Sequence, residues 1–301
     1  MSLSSAHAAP SGQRSGLLLT TAGGLLLGTL GVFLLEAGQP PLTAVWFRCA
    51  FGLLGVLLVL AITGQLTALR LPRPALLAAI ACGALMALNW GLFFAAIGMT
   101  SIALATIVFH VQPFFVMAIA ALVLKEPVRP RQWVACAVAL LGLALVAAFD
   151  PQRTSAGQAH TLGLLLCACG ALAYAVVTLL ARRVAQSAGS GLAAPLALTG
   201  WQCAVGALLL LPWVAFTGPP PWGATWGWLA ALGLVHTALA YVLLYAGFAR
   251  LPAAMVAGLQ FVYPLSAIAV DALVYGRMLV PVQAMGLMMM AGALVVVARR
   301  D

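Results

Sequence analysis

Two stretches of the chain match each other: PLTAVWFRCAFGLLGVLLVLAITG at residues 41–64 and PLALTGWQCAVGALLLLPWVAFTG at residues 195–218. Ten of the 24 aligned positions are identical. The loop after the first copy carries Arg70 and Arg73, whereas the loop after the second copy, residues 218–225, has no charge. Lys and Arg mark the cytoplasmic side of membrane proteins. The exchanged basic loops therefore indicate that the second copy crosses a membrane in the opposite direction.

The composition excludes a soluble domain. Of 301 residues, 64% are hydrophobic and 6% are charged, against about 25% charged in soluble domains. The apolar runs are continuous and lack the strict alternation of a β-barrel. The chain is therefore predicted to be an all-α polytopic membrane protein. Residues 1–16 form a short polar tail, and the apolar stretch after it is as long as a full span, which argues against a cleaved signal peptide.

Ten apolar segments are long enough to cross the hydrocarbon core as helices, which takes about 20 residues each. The first five are Leu17–Leu35, Leu42–Ile62, Ala75–Ile97, Ile102–Leu124 and Trp133–Phe149. The second five are Leu162–Ala181, Ala194–Phe216, Trp226–Phe248, Ala253–Tyr275 and Val282–Ala298. Because five is an odd number, the second set must enter the membrane in the opposite sense to the first.

The basic residues predict that both termini are cytoplasmic. With the N-terminus inside, eleven basic residues fall on the cytoplasmic side: Arg14, Arg70, Arg73, Lys125, Arg129, Arg131, Arg182, Arg183, Arg250, Arg299 and Arg300. Only Arg153 and Arg277 fall outside, and Arg48 lies within the second segment. The opposite orientation would reverse this ratio, contrary to the positive-inside rule.

The match between the halves extends along the chain. Val111-Gln112-Pro113 matches Val262-Tyr263-Pro264, and Pro130 and Gln132 match Pro281 and Gln283. We therefore predict a cytoplasmic tail (1–16), a first five-helix repeat (17–149), an extracytoplasmic linker (150–161) and a second, inverted five-helix repeat (162–301). Inverted repeats of this kind form many secondary transporters, with the halves rocking about a central site.

Several classes of function lack their residues. The chain has one lysine, Lys125, and no Gly-rich phosphate loop, so it does not hydrolyse ATP by that route. It has no HExxH motif, and we find no catalytic dyad of the kind that an intramembrane enzyme needs. All six cysteines fall in apolar segments and are predicted to be buried free thiols without a metal site. We expect no cofactor, no metal and no catalytic residue.

Polar groups at mid-membrane depth are the candidate site, because they are costly in hydrocarbon unless they face a cavity or a partner. His110 and Gln260 each lie about one turn before a matched proline, Pro113 or Pro264. Proline loosens the backbone ladder there and leaves a carbonyl available. These features predict a substrate cavity near the internal two-fold axis. The alternative for His110 is a hydrogen bond that only packs helices.

The candidate substrate-binding residues are polar or aromatic and fall within predicted spans. They are Asn89, Trp90, Phe93, His110, Tyr174, Trp201, Gln202, His236, Tyr241, Gln260 and Tyr263. An aromatic pocket with few polar groups and no acidic residue suits an amphipathic organic solute. Individual tryptophans and tyrosines also occur as interfacial anchors, which is the alternative for single members of the set.

A second group is predicted to be structural or to gate the site: Glu36, Arg48, Pro113, Lys125, Glu126, Pro264 and Asp271. Arg48 lies roughly 10 Å below the start of its helix at 1.5 Å per residue. We expect it to extend outward or to pair with Glu36 or Asp271, with direct substrate contact as the alternative. Lys125 follows the fourth segment, where a basic residue favours the helix dipole.

With these residues in view, the chain resembles the EamA family of the drug/metabolite transporter superfamily over residues 17–298. The resemblance rests on the two five-helix repeats and on Trp46-Phe47-Arg48, the run from Asn89 to Pro113, Glu126, Pro130, Gln132, Gly142, Pro264 and Gln283. Gly276-Arg277 stands where the family usually has Gly-Glu. Within the family, the aromatic content and short loops resemble YddG-type amino-acid exporters.

The resemblance implies a secondary transporter in the inner membrane of a bacterium that exports aromatic or other neutral amino acids by alternating access. Its expected partners are a small-molecule substrate and the lipid bilayer, with no nucleic acid and no obligate protein partner. A channel-like facilitator and an exporter of other metabolites or drugs are the alternatives. A membrane enzyme acting on lipids is disfavoured because no dyad is found.

Overall fold

A computed structural model describes residues 10–100, 102–148, 158–187, 191–276 and 280–298. Within these ranges the chain forms ten helical spans, which confirms the predicted fold class. Each span is long and apolar enough to cross a membrane. Parts of the predicted tail and linker, together with Arg153, Arg277, Arg299 and Arg300, lie outside the described residues.

Six of the described spans are single helices and the other four are interrupted or combine segments. Spans 2, 3, 5, 6, 7 and 10 are Pro41–Ile62, Arg73–Met99, Pro130–Ala148, Gln158–Ser187, Ala193–Thr217 and Pro281–Ala298. Span 1 consists of Pro10–Gly28 and Leu30–Ala37, span 4 of Ile102–Phe109 and Gln112–Leu122, and span 9 of Ala253–Leu259 and Val262–Tyr275. Span 8 consists of Ala224–Gly233, the π-helix Leu234–Leu239 and Ala240–Phe248, and a 3₁₀ turn, Leu66–Leu69, follows span 2.

Because ten spans are an even number, the first span begins and the last span ends on the same side of the membrane. We call this side the terminal face and the other side the opposite face. Spans 4, 6 and 8 end at the terminal face, and spans 3 and 9 begin there. The cavity and its closure are described with respect to these two faces.

The two sequence repeats interlock instead of packing as two separate bodies. Span 6 of the second repeat packs on spans 3 and 4 of the first, and span 1 of the first repeat packs on spans 8 and 9 of the second. We call spans 3, 4 and 6 the first bundle and spans 1, 8 and 9 the second bundle. Spans 2 and 7 pack on each other, as do spans 5 and 10. The packing units therefore exchange one helix with respect to the repeats.

Hydrogen bonds hold each bundle together internally. In the first bundle, Asn89 Nδ2 of span 3 donates to the Gly170 carbonyl of span 6 at 2.9 Å. In the second bundle, the Ser266 hydroxyl of span 9 donates to the Leu25 carbonyl of span 1 at 3.1 Å. Interhelical bonds of this kind fix side chains that would otherwise be unsatisfied in hydrocarbon. Each bundle is thus a cross-linked unit that contains helices from both repeats.

Spans 2 and 7 show the internal symmetry at a close crossing. A Cβ atom on Gly206 of span 7 would lie 2.8 Å from the Cys49 sulfur of span 2. In the reciprocal contact, a Cβ atom on Gly52 would lie 3.1 Å from the Cys203 sulfur. Each glycine therefore accommodates the cysteine of the other copy, which explains why both residue pairs recur in the two halves.

The inverted repeat also recurs in the backbone. Spans 4 and 9 are both interrupted just before their matched prolines, Pro113 and Pro264. At the interruption of span 4, the amide of Val111 donates to the carbonyl three residues back at 3.1 Å, and the amide of Phe261 does the same in span 9 at 3.2 Å. The predicted loosening of both helices near the prolines thus takes the form of a tight turn in each.

The prediction that all six cysteines are buried is wrong for one of them. Cys49, Cys82, Cys136, Cys167 and Cys203 are buried free thiols, but Cys169 is exposed on the surface of span 6. Cys167 and Cys169 point to different sides of the helix, as residues two apart must. The Cys167 thiol donates to the Ala105 carbonyl at 3.0 Å within the first bundle, whereas Cys169 lies on a face that the protein does not cover.

Candidate functional site

A cavity of about 200 Å³ lies between the two bundles at the interruptions of spans 4 and 9. Its lining consists of Leu27, Leu30, Leu34, Arg48, Met86, Asn89, Trp90, Phe93, Phe94, Thr106, Phe109, His110, Gln112, Tyr174, Tyr241, Gln260 and Tyr263. Leu34 lies near the end of span 1 and Thr106 near the start of span 4, both towards the opposite face. The cavity therefore extends from the middle of the bilayer towards that face.

The structure brings eight of the eleven predicted substrate-binding residues together in this cavity. They are Asn89, Trp90, Phe93, His110, Tyr174, Tyr241, Gln260 and Tyr263. They come from spans 3, 4, 6, 8 and 9, and so from both bundles. Their convergence places polar and aromatic groups around one solute-sized space, and contact with a substrate remains a prediction for each.

The other three predicted residues lie outside the cavity lining and have structural partners. Trp201 donates its indole N–H to the Leu69 carbonyl at 3.0 Å. Gln202 is buried and accepts a hydrogen bond from the Tyr245 hydroxyl. His236 is fully buried, and its Nε2 lies 2.7 Å from the Thr29 hydroxyl of span 1. These contacts anchor spans 7 and 8 and involve the groups that sequence alone assigned to substrate.

His110 presents one particular nitrogen to the cavity. Its Nδ1 lies 2.7 Å from the Thr106 carbonyl. A carbonyl only accepts hydrogen bonds, so Nδ1 carries the proton, and Nε2 of the neutral ring is left as an acceptor. The ring stacks on Tyr263 of span 9 with a centroid distance of 6.0 Å and an interplanar angle of 17°. His110 thus supplies an acceptor next to an aromatic surface.

Gln260 has the clearest unsatisfied group in the cavity. Its Nε2 is buried and has no hydrogen-bond partner in the described part of the chain. An unpaired buried amide costs roughly 1–3 kcal/mol. Gln260 lies at the turn that interrupts span 9, where the repeat has Phe109 and His110 in span 4. A solute acceptor in the cavity would satisfy this donor.

Arg48 lies in the cavity wall and not at the outer surface. Its Nε donates to the Thr237 hydroxyl of span 8 at 3.2 Å, and its guanidinium lies over the Trp90 ring at 5.5 Å from the centroid. The residue is 5% exposed. Neither Glu36 nor Asp271 is among these partners, so the expected ion pair is corrected to a hydroxyl and a ring face. Glu36 is exposed instead, near the end of span 1.

At the terminal face, an ion pair within the first bundle also contacts the second bundle. Glu126 Oε1, after span 4, lies 2.6 Å from Arg182 Nη1 of span 6. Glu126 Oε2 accepts from the Ala253 amide at the start of span 9 at 3.2 Å, and Arg182 Nε donates to the Leu251 carbonyl at 2.8 Å. We call these four residues the latch. Through both side chains, the first bundle holds the segment that joins spans 8 and 9 of the second.

The remaining gating candidates have local roles in the geometry. Lys125 is exposed and adopts a left-handed backbone, with φ of 54°, just before Glu126. Pro113 and Pro264 are buried in the first turns of the helical halves that follow the two interruptions. Asp271 is half-buried in the last part of span 9, towards the opposite face. None of these four lines the cavity.

Sequence reasoning missed several residues of the lining. Leu27, Leu30 and Leu34 of span 1 carry no signal, because leucine is ordinary on any membrane helix. Gln112 did have a signal, since it is the repeat partner of Tyr263, which was predicted. Its Nε2 lies 3.4 Å from the Thr178 hydroxyl of span 6. Pairing each predicted residue with its equivalent in the other repeat identifies Gln112 from Tyr263.

Comparison with protein families matches residues 14–148 and 161–299 to the EamA-like transporter family. The two matches together cover most of the chain, one for each repeat. The chain belongs to the EamA-like transporter family. It is thus a multi-pass membrane protein of a transporter family, as the sequence predicted, and the resemblance is confirmed at the level of the family.

Two relatives of this family member are also named as transporters. An uncharacterized transporter, YxxF, of Bacillus subtilis is 24% identical over 92% of this chain and 88% of its own length. An uncharacterized transporter of Archaeoglobus fulgidus is 27% identical over 90% and 92% of the two chains. Protein PecM of Dickeya dadantii is 27% identical over 70% and 71%. The names of the first two point to a transporter and not to an enzyme.

One solved crystal structure has the same fold. It is 20% identical to this chain, covers 94% of it with 96% of its own residues, and superposes with a TM-score of 0.82. At this level of identity the similarity concerns the fold alone. The ten-span interlocked arrangement is therefore shared with an experimentally determined protein.

Proposed function

We propose that this EamA-family member is a secondary transporter that exports small amphipathic metabolites, with aromatic or other neutral amino acids as the leading substrates, by alternating access. The observation that carries the proposal is the cavity between two internally cross-linked bundles, at the point where spans 4 and 9 are interrupted. Broken helices at the repeat interface are where transporters of inverted-repeat design bind their substrates.

The latch supports alternating access as the mechanism. The cavity lining extends towards the opposite face, whereas the latch joins the bundles at the terminal face. Breaking the latch would let the first bundle separate from the start of span 9 and open a path from the cavity to the terminal face. The bundles, and not the sequence repeats, are the moving units in this proposal, because span 1 packs on the second repeat and span 6 on the first.

The distribution of charge supports an orientation with the terminal face in the cytoplasm. Arg14, Arg70 and Arg73 lie on the terminal side of spans 1 to 3 and are exposed. Under the positive-inside rule this side is cytoplasmic. In this orientation the cavity is directed away from the cytoplasm, as expected for the state from which an exporter releases its substrate. The bacterial relatives support the inner membrane as its location.

The lining supports an amphipathic solute. Trp90, Phe93, Tyr174 and Tyr241 offer ring faces, and stacked or edge-on ring pairs add about 0.5–1.5 kcal/mol beyond burial of area. His110 supplies a hydrogen-bond acceptor, and Gln260 an unsatisfied donor. A cavity of about 200 Å³ accommodates one aromatic ring with a short polar chain.

The test is counterflow of labelled phenylalanine and tryptophan in proteoliposomes. A carrier shows saturation and acceleration of labelled influx by unlabelled substrate inside. His110→Ala and Gln260→Ala are expected to weaken the apparent affinity about tenfold each, the loss of one buried hydrogen bond. Trp90→Phe should lower it as well, whereas Trp201→Phe, a matched change outside the cavity, should leave it unchanged.

A channel-like facilitator would give the opposite result. Its flux would rise linearly with concentration, and unlabelled substrate on the far side would not accelerate it. If the flux were linear and insensitive to His110→Ala, Gln260→Ala and Trp90→Phe, the carrier proposal would be abandoned. Repeating the assay with an imposed pH gradient shows whether export is coupled to protons.

A further inference from the structure

Two arginines are buried in the part of the chain that the structure describes, and their surroundings differ. Arg182, 7% exposed, lies 2.6 Å from the Glu126 carboxylate. Arg48, 5% exposed, has a hydroxyl and a ring face as its partners instead of a carboxylate. The protein therefore neutralises the charge at the latch with its own acidic group. At the cavity, it leaves a buried cation without one.

The contacts of Arg48 hold the guanidinium in place without using its two Nη groups. The Thr237 hydroxyl donates to the Leu232 carbonyl at 3.0 Å, a bond that spans the wide turn of the π-helix. Its oxygen is then available to accept from Arg48 Nε at 3.2 Å. The Trp90 ring, 5.5 Å away, contributes a cation–π contact. The two Nη groups, which bind a carboxylate in bidentate fashion, are not used by these contacts.

We propose that Arg48 is the anion-binding residue of the cavity and that the solute carries a single carboxylate on an aromatic or apolar body. This inference rests on the proposed transport function and names the chemical class of its substrate. It assigns to Arg48 a role in recognition, beyond the packing and gating that its position in the second span alone indicates.

The charge balance of the cavity argues for one carboxylate. Burying a cation without a counterion destabilises the protein, and an arriving carboxylate would offset that cost. No other Arg, Lys, Asp or Glu is among the described residues that line the cavity. A phosphate ester would therefore bring a second negative charge with no cation to meet it. An amine without a carboxylate would meet the positive charge of Arg48 and no acidic group.

Only the first of the two repeats carries this charge. The position equivalent to Arg48 is Gln202, and its side chain already accepts a hydrogen bond from the Tyr245 hydroxyl outside the cavity. Only one end of the symmetrical site thus carries a charge. A solute with one carboxylate would bind in a single orientation, with that group at Arg48 and its ring among the aromatic side chains. His110 Nε2 is available for an amino group, so the amine is accommodated but not required.

The experiment measures binding to the purified full-length protein in detergent by its thermal stabilisation. Four probes share a phenyl group: L-phenylalanine, 3-phenylpropionate, 2-phenylethylamine and 3-phenyl-1-propanol. For the wild type, both carboxylates are expected to bind at least about tenfold more tightly than the amine and the alcohol. In Arg48→Gln, 3-phenylpropionate should bind no better than the alcohol, and the affinity for the alcohol should not fall. Arg70→Gln, the same change at an exposed site outside the cavity, should behave as wild type.

Two further variants separate recognition from folding. Arg48→Lys keeps the charge but not the planar fork, and Thr237→Val removes the bond that holds Nε. Each should weaken the preference for carboxylates several-fold without abolishing it. The proposal is overturned if the wild type binds the amine or the alcohol as tightly as the carboxylates, or binds none of the four. It is equally overturned if Arg48→Gln, or Arg48→Lys should Arg48→Gln not fold, keeps the full preference.

Binding and transport can fail independently in these assays. Loss of carboxylate preference in detergent with intact counterflow of phenylalanine would remove the role of Arg48 and leave the transport function standing. Preferential binding of 3-phenylpropionate without counterflow of any amino acid would support the role of Arg48 in binding. It would contradict the proposal that the protein transports amino acids.

Discussion

At the terminal face, Glu126 and Arg182 join the two bundles, whereas the equivalent corner of the opposite face has different residues. By the internal repeat, Glu126 corresponds to Arg277, which lies outside the described residues, and Arg182 corresponds to Leu35. Arg182 is 7% exposed, but Leu35 is 66% exposed. An arginine cannot accept a hydrogen bond from a backbone amide as Glu126 does from Ala253. The sequence at the opposite face therefore cannot form a copy of the latch.

In the described residues, the backbone at the start and at the end of the two corners is nonetheless alike. Lys125 precedes Glu126 with φ of 54°, and its partner Gly276 has φ of 63°. The next helix begins in both cases with proline at its first position and a glutamine two residues later. Duplication thus reproduced the described parts of the chain path, and later substitutions gave the terminal face a Glu126–Arg182 pair that Arg277 and Leu35 cannot copy. The comparison teaches that the two faces differ through a few side chains placed on a symmetrical frame.

The largest effect is expected from breaking the latch with Glu126→Gln. The change leaves the Arg182 charge, which is 8% exposed in its side chain, without a counterion. Removing one partner of a buried pair costs about 3–5 kcal/mol, and the 28% exposure of Glu126 reduces this to about 1–3 kcal/mol. Thermal unfolding in detergent measures the loss. Glu36→Gln, the same change at an exposed carboxylate near the opposite face, should leave the melting temperature unchanged.

The same variant should also open the terminal face. Ala254, near the start of span 9, is 2% exposed, and Ala254→Cys provides a thiol there, in a background in which the exposed Cys169 is replaced by alanine. Labelling of this thiol by a membrane-impermeant maleimide should be slow with the latch intact and several-fold faster with Glu126→Gln. Equal labelling rates and equal melting temperatures with and without Glu126→Gln would show that the latch does not close this face.

A smaller effect is expected at Lys125 and Gly276, the matched residues with a left-handed backbone. Gly276→Ala should cost about 1 kcal/mol, because an alanine at positive φ is strained by about 1–2 kcal/mol. A Cβ atom there would meet nothing within 4 Å, so the cost is that of the backbone alone. Lys125→Gly should stabilise the protein by several tenths of a kcal/mol, since it relieves the same strain at the other face.

Thermal unfolding of the two variants checks this pair. Gly292→Ala is the control, because Gly292 lies inside span 10 without a positive φ and with nothing within 4 Å of an added Cβ atom. It should be neutral or stabilising. If Gly276→Ala and Gly292→Ala changed the melting temperature alike, the left-handed backbone would not be the cause.

Most of the fold followed from the sequence because membrane helices and charged loops obey simple rules. Apolar length gave the ten spans, and the shared pattern at residues 41–64 and 195–218 gave their inversion. The exchange of spans 1 and 6 between the bundles could not be predicted in this way. Helix packing in membranes depends on small residues and shape, and a glycine such as Gly206 identifies its partner, Cys49, only in three dimensions.

The candidate site was predictable where chemistry and symmetry agreed. His110 and Gln260 are polar, deep in the membrane and next to matched prolines, and the structure places both in the cavity. Gln202 is also polar and lies within a predicted span, yet its side-chain oxygen already accepts a hydrogen bond from the Tyr245 hydroxyl. Periodicity gives the face of a helix but not which polar group its neighbour satisfies. For the same reason, Arg48 was expected to meet a carboxylate and is found beside Thr237 and Trp90.

The smallest effect is expected where the two faces are alike. Gln132 Oε1 accepts from the Arg129 amide at 2.9 Å, and Gln283 Oε1 accepts from the Val280 amide at 3.1 Å. In each case the side chain at the third helical position reaches back to the amide just before the helix, the return half of a capping box. Gln132→Ala and Gln283→Ala should each cost about 0.5–1 kcal/mol.

The two caps are repeat copies with the same return bond, unlike the latch, so the two losses should differ only by the weak bond that Gln283 Nε2 donates to the Val146 carbonyl at 3.4 Å. Gln132→Glu and Gln283→Glu keep the accepting oxygen and place a negative charge at a helix N-terminus, so each should restore the melting temperature of the wild type. If only the cap at the terminal face contributed to stability, the two faces would differ in their helix caps as well as in the Glu126–Arg182 ion pair. Equal losses would limit the asymmetry between the two repeats to the latch and to the cavity, where the repeat partner of Arg48 is the uncharged Gln202.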